Sequence, residues 1–527
     1  MKKLVCAMLA LAMLLSGVCA MAESEGSFPY DVSEPVTFSV TTSQTMTAKN
    51  YNAGNLYDYM AEKFNITLDV KAVPYGDQDS KTRTNMTAGT LPDTVCWLSF
   101  NAIEYQTFVE AGTIAPLPEG WEEKYPNMRA MMQSTGIYDQ LVIDGRVYAV
   151  PHATFYTFNR DGVSENGVVP HALVYYRKDW AREVGMDIDE SITREELREY
   201  LTRCVEQDMA KNGKTFGLSC DPGSMIGAYM AFTDCQWSTF PRTDDGYTYG
   251  LLADGVTEII SELRALYQDG LIYPDFYNIT DGDHMFTTGM AAAKIDAGVV
   301  NTLNWSVREL VSTYEGMGIE FDRADMGVAV LCDEDGNYHQ SYGTNYWTAS
   351  IFNPEIDEVK MDRILSIIDW LCTEEGERIC QMGIPEVDWT VDENGEYVSL
   401  MAPNPDGTPK NMWQNSESYC VWRQLGVLSD DFQIINPSLP KDLRELCAKM
   451  YAYKNSHNEK MVKVDLDYRF YNSEAKAILS VPYSNEIARM MMAPKVEVEA
   501  EWATFVENYR NLWEPVLNEL NAEFFGK

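Results

Sequence analysis

The sequence lacks several signatures that would assign it to a catalytic or metal-binding class. Its 11 cysteines include no C-x-x-C pair, and its five histidines show no metal-ligand spacing, which argues against a zinc ribbon or a histidine metal centre. It has no G-x-S-x-G or H-E-x-x-H motif, so the serine-hydrolase elbow and the zinc-protease helix are missing. Basic residues are scarce, with 41 lysines and arginines against 80 acidic residues and a net charge of −39. This balance argues against nucleic acid or an anionic lipid surface as a partner.

Long apolar runs are also lacking beyond the first 22 residues. Met1–Ala22 has a basic start, an apolar stretch from Leu4 to Leu15 and a small-x-small ending at Ala20-Met21-Ala22, a pattern that predicts a signal peptide. Acylation at Cys19 would instead anchor the protein to lipid, but Val18 is not the small residue that such signals normally carry. We therefore expect an exported protein, and we favour simple cleavage, followed by a short acidic leader over residues 23–34.

The cysteines and acidic turns have structural interpretations. Nine cysteines follow the signal segment, an odd number whose apolar neighbours favour buried thiols over a disulfide framework, although an oxidised pair is left open. Asp281-Gly282-Asp283 and Asp333-Glu334-Asp335-Gly336 lack the full ligand series of a calcium loop, and hairpin turns explain them better. We expect no cofactor and assign no metal ligand, while a structural calcium also stays open.

The N-terminal part of the mature chain has an α/β pattern. Val36, Phe38 and Val40 alternate as in a half-buried strand, a helix with one apolar face follows, and Ile66, Leu68 and Val70 alternate again. A strand, a helix and a strand in this order predict a parallel pair with a right-handed crossover. Because about 500 mature residues exceed one hydrophobic core, two or more lobes are expected.

The stretch Ile143–Trp180 has the features of a crossing between two lobes. The Asp144-Gly145 turn precedes a short strand that ends at Pro151. After an aromatic and polar loop, a second short apolar strand begins at Leu173 and leads into Arg177-Lys178-Asp179-Trp180 and a helix. One sheet therefore ends near residue 150, and another begins near residue 173.

Several sequence blocks carry a resemblance to a known family. They are Ala88-Gly89 followed by Leu91-Pro92-Asp93 and an apolar strand, Gly270–Asp275, Phe286–Ala293, Gly383–Trp389, and the crossing segment itself. Together they resemble the extracellular solute-binding proteins of ABC importers, in the branch that handles sugars and oligosaccharides. The resemblance extends from Val36 almost to the C-terminus.

This resemblance implies a two-lobed α/β fold of the periplasmic-binding-protein type II, with three interlobe crossings and a helical C-terminal extension. The crossings are expected at 143–180, 294–300 and 341–351. Lobe 1 is then expected to contain residues 35–150 and 298–343. Lobe 2 is expected to contain 151–297 and 344–527 with the C-terminal helices.

The cleft between two such lobes would lie beside the crossings, and a sugar site needs aromatic planes together with amides and carboxylates. By that rule the candidate ligand-binding residues, for each of which core or surface packing is the alternative, are Trp97, Phe100, His152, Phe155, Tyr156, Trp237, Asp296, Trp305, Asn345, Tyr346, Trp347 and Trp389. Among them Trp305 and Trp347 are the preferred candidates.

Two functions are compatible with the sequence. The first is a binding protein, not an enzyme, that captures an extracellular solute, an oligosaccharide above all, and delivers it as a monomer to ABC permease subunits in the membrane. The second is a secreted glycoside hydrolase, which would also need aromatic platforms together with two carboxylates. The 80 acidic residues make candidate carboxylate pairs unavoidable and hence uninformative.

Overall fold

The computed structural model describes residues 28–44, 50–155, 169–233, 239–278, 284–405 and 407–527. The predicted signal peptide, with Cys19, lies outside this range. No helix in these ranges is long and apolar enough to cross a membrane. All eight cysteines described there are buried and unbridged, which confirms their interpretation as core residues.

The strands are short except at the centres of the two large sheets. They are β1 Val36–Gln44, β2 Ile66–Pro74, β3 Thr94–Leu98, β4 Val142–Ile143, β5 Arg146–Val147, β6 Val150–Ala153, β7 Leu173–Arg177, β8 Ser191–Thr193, β9 Phe216–Leu218, β10 Arg242–Thr243, β11 Gly246–Tyr247, β12 Ala291–Asp296, β13 Met326–Cys332, β14 Ser341–Tyr342, β15 Tyr346–Phe352, β16 Trp389–Val391, β17 Tyr397–Ser399 and β18 Val462–Lys463.

The α-helices cover the faces of these sheets. They are α1 Asn55–Phe64, α2 Gln78–Ala88, α3 Ala102–Glu110, α4 Trp121–Lys124, α5 Pro126–Ser134, α6 Lys178–Glu183, α7 Arg194–Glu206, α8 Pro222–Met230, α9 Val256–Gln268, α10 His284–Thr287, α11 Val300–Gly316, α12 Glu358–Leu371, α13 Glu374–Met382, α14 Met412–Asn415, α15 Tyr419–Leu425, α16 Lys441–Ser456, α17 Leu466–Phe470, α18 Glu474–Ala477, α19 Tyr483–Met492, α20 Val498–Asn508 and α21 Arg510–Phe525.

The first lobe is built on a five-stranded sheet with the order β2-β1-β3-β15-β6. Strands β1 and β2 pair in parallel, as the β-α-β pattern predicted, with Val36 opposite Ile66 and Val40 opposite Val70. Strand β15 runs antiparallel between β3 and β6. Its core also contains side chains from α12 and α15, such as Ile364, which come from much later in the chain.

The second lobe is built on another five-stranded sheet, with the order β8-β13-β7-β12-β9. Because side chains alternate along a strand, Val174 and Tyr176 of β7 face one core, and Leu173 and Tyr175 face another. Helices α7 to α9 and the C-terminal helices α19 to α21 pack on the first face, and α11 and α16 pack on the second. The sheet is thus covered on both sides.

Sheet membership corrects the predicted lobe boundaries. Residues 326–332, expected in the first lobe, form β13 of the second sheet, and residues 346–352, expected in the second lobe, form β15 of the first sheet. Strand β12 and helix α11 both belong to the second lobe, so the chain does not change lobes at 294–300. An alanine-rich strand followed by a helix has the same sequence pattern in either lobe, so the pattern alone does not show whether the chain crosses there.

The chain changes lobes in three places within the described residues. It leaves the first sheet after β6 and enters the second at β7, and it returns between β13 and β15. It leaves again between Val427, in the first core, and Leu439, in the second. The two-lobed fold with three crossings and C-terminal helices is therefore present, with its second crossing at 333–345 and its third at 428–438.

Candidate functional site

The three crossing segments meet at Thr154. The Thr154 backbone N–H donates a hydrogen bond to the Asn345 carbonyl at 3.4 Å, and the Asp430 N–H donates to the Thr154 carbonyl at 2.9 Å. One residue earlier, the Leu428 N–H donates to the Ala153 carbonyl at 3.0 Å. This junction, which we call the hinge, joins the two lobes.

The Asn345 side chain binds the hinge together rather than facing a ligand. Its Oδ1 accepts hydrogen bonds from Thr154 Oγ1 at 2.9 Å and from the Phe155 N–H at 2.8 Å. Its Nδ2 donates to the Phe155 carbonyl and, at 3.4 Å, to the Ser134 carbonyl. The protein itself thus satisfies the side chain, and the ligand contact predicted for Asn345 stays a prediction.

A cleft of about 1090 Å³ opens beside the hinge and is lined from both lobes. This volume lies at the upper end of the roughly 300–1,000 Å³ usual for small-molecule sites. Aromatic, amide and guanidinium side chains are prominent in its lining, which includes Asn301, Thr302, Asn304, Trp305, Arg308, Gln340, Tyr346, Trp347, Asn411, Trp413, Gln414, Gln433 and Arg469. The space suits a ligand of several linked rings.

Helix α11 forms the second-lobe wall. Its Val300, Leu303, Val307 and Leu310 are buried in the core, while Asn301, Asn304, Trp305 and Arg308 recur at i, i+3, i+4 and i+7 and line the cleft. Asn304 is only 6% exposed, and its Oδ1 has no hydrogen-bond partner among the residues that the structure describes. A buried polar atom left unpaired is costly, so this oxygen is a strong candidate for contact with a ligand.

The first-lobe wall presents aromatic planes. Trp347 is 47% exposed and stacks edge to face against the buried Trp97, with ring centroids 4.5 Å apart. Trp97 therefore supports Trp347 from behind. Beside them the Tyr346 hydroxyl accepts a hydrogen bond from Arg469 at 3.0 Å, and the Arg469 guanidinium lies 5.2 Å from the Tyr346 ring centre.

A polar network connects the floor of the cleft to the hinge. Asp430 Oδ1 accepts hydrogen bonds from Arg423 and from Gln433 Nε2, both at 2.9 Å, and Gln433 Oε1 accepts from the Asn301 N–H at the start of α11. Burial raises the pKa of Asp430 to about 6, although the nearby Arg423 charge acts in the opposite direction. The third crossing is thereby tied to the second-lobe wall.

Asp296 also lies in the cleft, at the end of β12. Its carboxylate accepts hydrogen bonds from the buried Lys294 ammonium and from the Ala297 N–H, each at 2.7 Å. Both aspartates of the lining, Asp296 and Asp430, are thus engaged in ion pairs with the protein.

Of the candidates named from sequence, Asp296, Trp305, Tyr346 and Trp347 come together in the cleft, with Trp97 behind them. Phe100 does not, since it stacks on Tyr105 at 5.1 Å against the first core. Phe155 is buried at the hinge against Tyr451. Tyr156 and Trp237 lie outside the described residues.

His152 and Trp389 are also internal. Both His152 ring nitrogens are hydrogen-bonded, to the Thr348 and Ser350 hydroxyls, and burial lowers its pKa to about 3. Trp389 donates its indole N–H to the Gly383 carbonyl at 2.8 Å and packs on Met382 and Phe432. The expectation that these two residues face the cleft is wrong, because position beside a crossing strand does not determine which way a side chain points.

Sequence reasoning missed much of the lining. The polar face of α11 could have been found, because Asn301, Asn304 and Arg308 interrupt the surface where a solvated helix would carry lysines and glutamates. Trp413 and Arg469 had no such local signal. Trp413 lies in the last part of the first lobe before the third crossing, and Arg469 lies in α17, whose Leu466 and Phe470 pack against the first core.

No group of three or more histidine, cysteine, aspartate or glutamate side chains that could hold a metal ion occurs within the described ranges. The Asp333–Gly336 segment forms a turn in which Asp333 Oδ1 accepts from the Asp335 and Asn337 N–H groups, and Asp333 Oδ2 contacts His339 at 2.8 Å. The second acidic motif, 281–283, lies outside the described residues.

No family model and no curated protein sequence matches the chain. Solved structures do. The alginate-binding protein AlgQ2 is similar with a TM-score of 0.62 at 14% identity, over 93% of this chain and 98% of its own. The chain thus has the same overall fold as AlgQ2. The substrate-binding protein FusA of the S. pneumoniae ABC transporter, in complex with kestose, gives 0.64 at 14% identity over 92% and 97%. The N-glycan transport solute-binding protein NgtS from Streptococcus pneumoniae gives 0.58 at 14% identity over 94% and 100%.

Proposed function

We propose that this protein is the solute-binding component of an ABC importer and captures an oligosaccharide in the cleft between its lobes. The observation that carries the proposal is the cleft itself, with Trp305 on one wall and Tyr346, Trp347 and Trp413 among its other lining residues. Aromatic faces pack on the C–H faces of sugar rings, and amides such as Asn304 bind the hydroxyl groups at the ring edge.

The fold supports this assignment. Among the proteins of similar fold, AlgQ2 binds alginate, FusA is in complex with kestose and NgtS serves N-glycan transport, and we extend a related role to this chain. Trp305, Trp347 and Asn304 are the proposed principal contacts, with Tyr346 and Asp296 beside them. The permease subunits of the importer are the proposed membrane partner, and the protein is proposed to act as an exported monomer.

Capture follows from contacts made with both walls. A sugar held only by α11 touches one lobe, whereas a sugar that also touches Trp347 requires the cleft to close about the three crossings. Because a ligand shifts a conformational equilibrium only through its differential affinity for the two states, these two-sided contacts favour the closed form. No bond needs to be broken.

A thermal-shift screen of the mature protein against mono- and oligosaccharides, followed by calorimetry on each hit, tests this proposal. A ligand present at a hundred times its Kd should add about 2.7 kcal/mol of stability. Reducing-end and product assays on the same sugars provide the control. Binding without sustained product release supports the proposal, whereas turnover would favour the glycoside hydrolase and contradict it.

A further inference from the structure

The cleft has the opposite charge balance to the rest of the chain. Overall, acidic residues outnumber lysines and arginines by 80 to 41. The charged residues that line the cleft, however, are three arginines and two aspartates: Arg308, Arg423, Arg469, Asp296 and Asp430. An excess of positive charge in this one place needs a reason.

Ion pairs within the protein account for only part of this charge. Arg423 pairs with Asp430 at 2.9 Å, and the carboxylate of Asp296 pairs with Lys294 at 2.7 Å. Among the residues that the structure describes, neither Arg308 nor Arg469 has a carboxylate partner within 4.0 Å. Two guanidinium charges therefore remain uncompensated.

These two arginines approach the cleft from different sides. Arg308 is half-buried on the face of α11 that also carries Asn304 and Trp305. Arg469 is exposed at the rim, where the Thr344 and Tyr346 hydroxyls accept its hydrogen bonds at 3.1 and 3.0 Å. Since Tyr346 belongs to the first sheet, an anion bound to both arginines would bridge the two walls.

On this basis, and resting on the proposed function, we propose that the solute is an acidic oligosaccharide whose carboxylate or sulfate groups are bound by Arg308 and Arg469. A guanidinium matches the planar geometry of a carboxylate with two parallel hydrogen bonds, and charge-assisted bonds of this kind are stronger than those to neutral hydroxyl groups. The surrounding tryptophans and amides would contact the sugar rings themselves.

A neutral sugar would leave both charges without a counterion when the cleft closes. Removal of a cation from water without a partner is unfavourable, and closure would impose this cost on the half-buried Arg308. An acidic sugar removes the cost and gains the ion pair. Charge therefore becomes a basis for discrimination between otherwise similar oligosaccharides.

Matched probes of equal length test the inference by titration calorimetry on the full mature protein. Trimers of galacturonate, mannuronate and glucuronate are each compared with their methyl esters, which keep the ring and lose the charge. A sulfated galactan tetrasaccharide and its desulfated form make up the second arm. Whichever arm binds identifies the anion as a carboxylate or a sulfate.

The protein variants are Arg308→Gln, Arg308→Lys, Arg469→Gln and, as a control, Arg510→Gln. Arg510 lies exposed on the last helix, paired with Glu507 and Glu514. We expect at least one acidic probe to bind tenfold or more tightly than its neutral form. Arg308→Gln should remove most of that ratio, Arg308→Lys should restore part of it, and Arg510→Gln should leave it unchanged.

Two outcomes would overturn the inference, and they differ in what they leave standing. If neutral oligosaccharides bind as tightly as their acidic forms, or if Arg308→Gln leaves the ratio intact, the acidic-ligand inference fails and the binding function survives. If no acidic or neutral oligosaccharide binds at all, the inference and the proposed function fail together.

Discussion

The hinge and the cleft wall contain residues that are neighbours in the chain, yet the surroundings of their side chains differ. Asn345 and Trp347 are two residues apart, but the polar atoms of Asn345 are all bonded within the hinge, whereas Trp347 is 47% exposed to the cleft. Across the cleft, Asn304 is more buried than Asn345 but leaves its Oδ1 unpaired among the described residues. The two asparagines therefore differ in whether the described part of the protein satisfies the side-chain oxygen.

The largest effect should come from a matched pair of asparagine substitutions, Asn345→Leu and Asn304→Leu. Loss of the Asn345 side chain leaves the Thr154 hydroxyl and the Phe155 N–H without their hydrogen-bond partner. We therefore expect a decrease of about 2–3 kcal/mol in the free energy of unfolding. Asn304→Leu removes an oxygen that has no partner among the described residues and should change stability by less than about 0.5 kcal/mol while weakening ligand binding.

Urea unfolding of both variants at pH 7.5, together with calorimetry on the ligand found in the sugar screen, checks this pair. Equal losses of stability at the two positions would remove the distinction between hinge and wall.

His152→Gln tests the interior of the first lobe, beside the hinge, through the pH dependence of stability. Burial holds the folded-state pKa near 3, below the ordinary 6.5, so the unfolded chain takes up a proton below pH 6.5 while the folded protein does not. Stability that is present above pH 6.5 is therefore lost as the pH falls, by roughly 2 kcal/mol at pH 5. The variant should not show this part of the acid destabilisation.

The measurement is the difference in unfolding free energy between pH 7.5 and pH 5, for wild type and variant in the same buffers. An identical acid loss in both proteins would show that His152 becomes protonated in the folded state.

Two tryptophan substitutions, one in the cleft and one in the interior, test the same contrast between site and framework. Trp347→Ala should weaken ligand binding by on the order of tenfold, about 1.4 kcal/mol, and should change the melting temperature only slightly because the side chain is half exposed. Trp389→Phe should instead lower the melting temperature, since the hydrogen bond to the Gly383 carbonyl is lost, and should leave affinity unchanged. Thermal melts and calorimetry on both variants measure these effects. A lower melting temperature with unchanged affinity for Trp347→Ala, together with weaker binding by a stable Trp389→Phe, would contradict this assignment.

The smallest effect is expected where hinge and cleft meet, at Asp430. Its pKa, raised by burial to about 6 from 3.8, means that the folded protein retains a proton to higher pH than the unfolded chain. Its contribution to stability is therefore greatest below pH 3.8 and is lost as the pH rises through 6. From pH 7.5 to pH 5, wild type should gain roughly 1 kcal/mol relative to Asp430→Asn. Parallel pH profiles of unfolding for the two proteins would contradict this expectation.

The fold was largely predictable because local patterns and tertiary structure agree. The alternation at Val36 to Val40 and at Ile66 to Val70 gives the parallel pair β1–β2. Local capping boxes at Asn101–Glu104 and Thr193–Glu196 start two of the helices. The lobe boundaries were less accessible. Strand β15 completes the first sheet from a distant part of the chain, and no local periodicity states which sheet a buried strand joins.

The site was predictable only in part for a similar reason. Proximity to a crossing brought Tyr346 and Trp347 to the cleft, whereas Trp305 lines it although no crossing occurs at 294–300. The same rule included His152, whose side chain is buried inside the first lobe. The rule also missed Arg469. This residue reaches the cleft only through the path that the chain takes after β18, the strand that pairs with β14. The direction of a side chain and the path of a long connection are tertiary properties.

The interleaving of the first sheet also sets the order in which the two sheets can be completed. Every strand of the second sheet lies between residues 173 and 332, whereas β15, which separates β3 from β6, ends at Phe352. A chain that emerges N-terminus first thus completes the second sheet while β3 and β6 still lack their shared neighbour. Such long-range pairing forms late, so in a chain that emerges in this order β3 and β6 are the strands that wait longest for their shared neighbour.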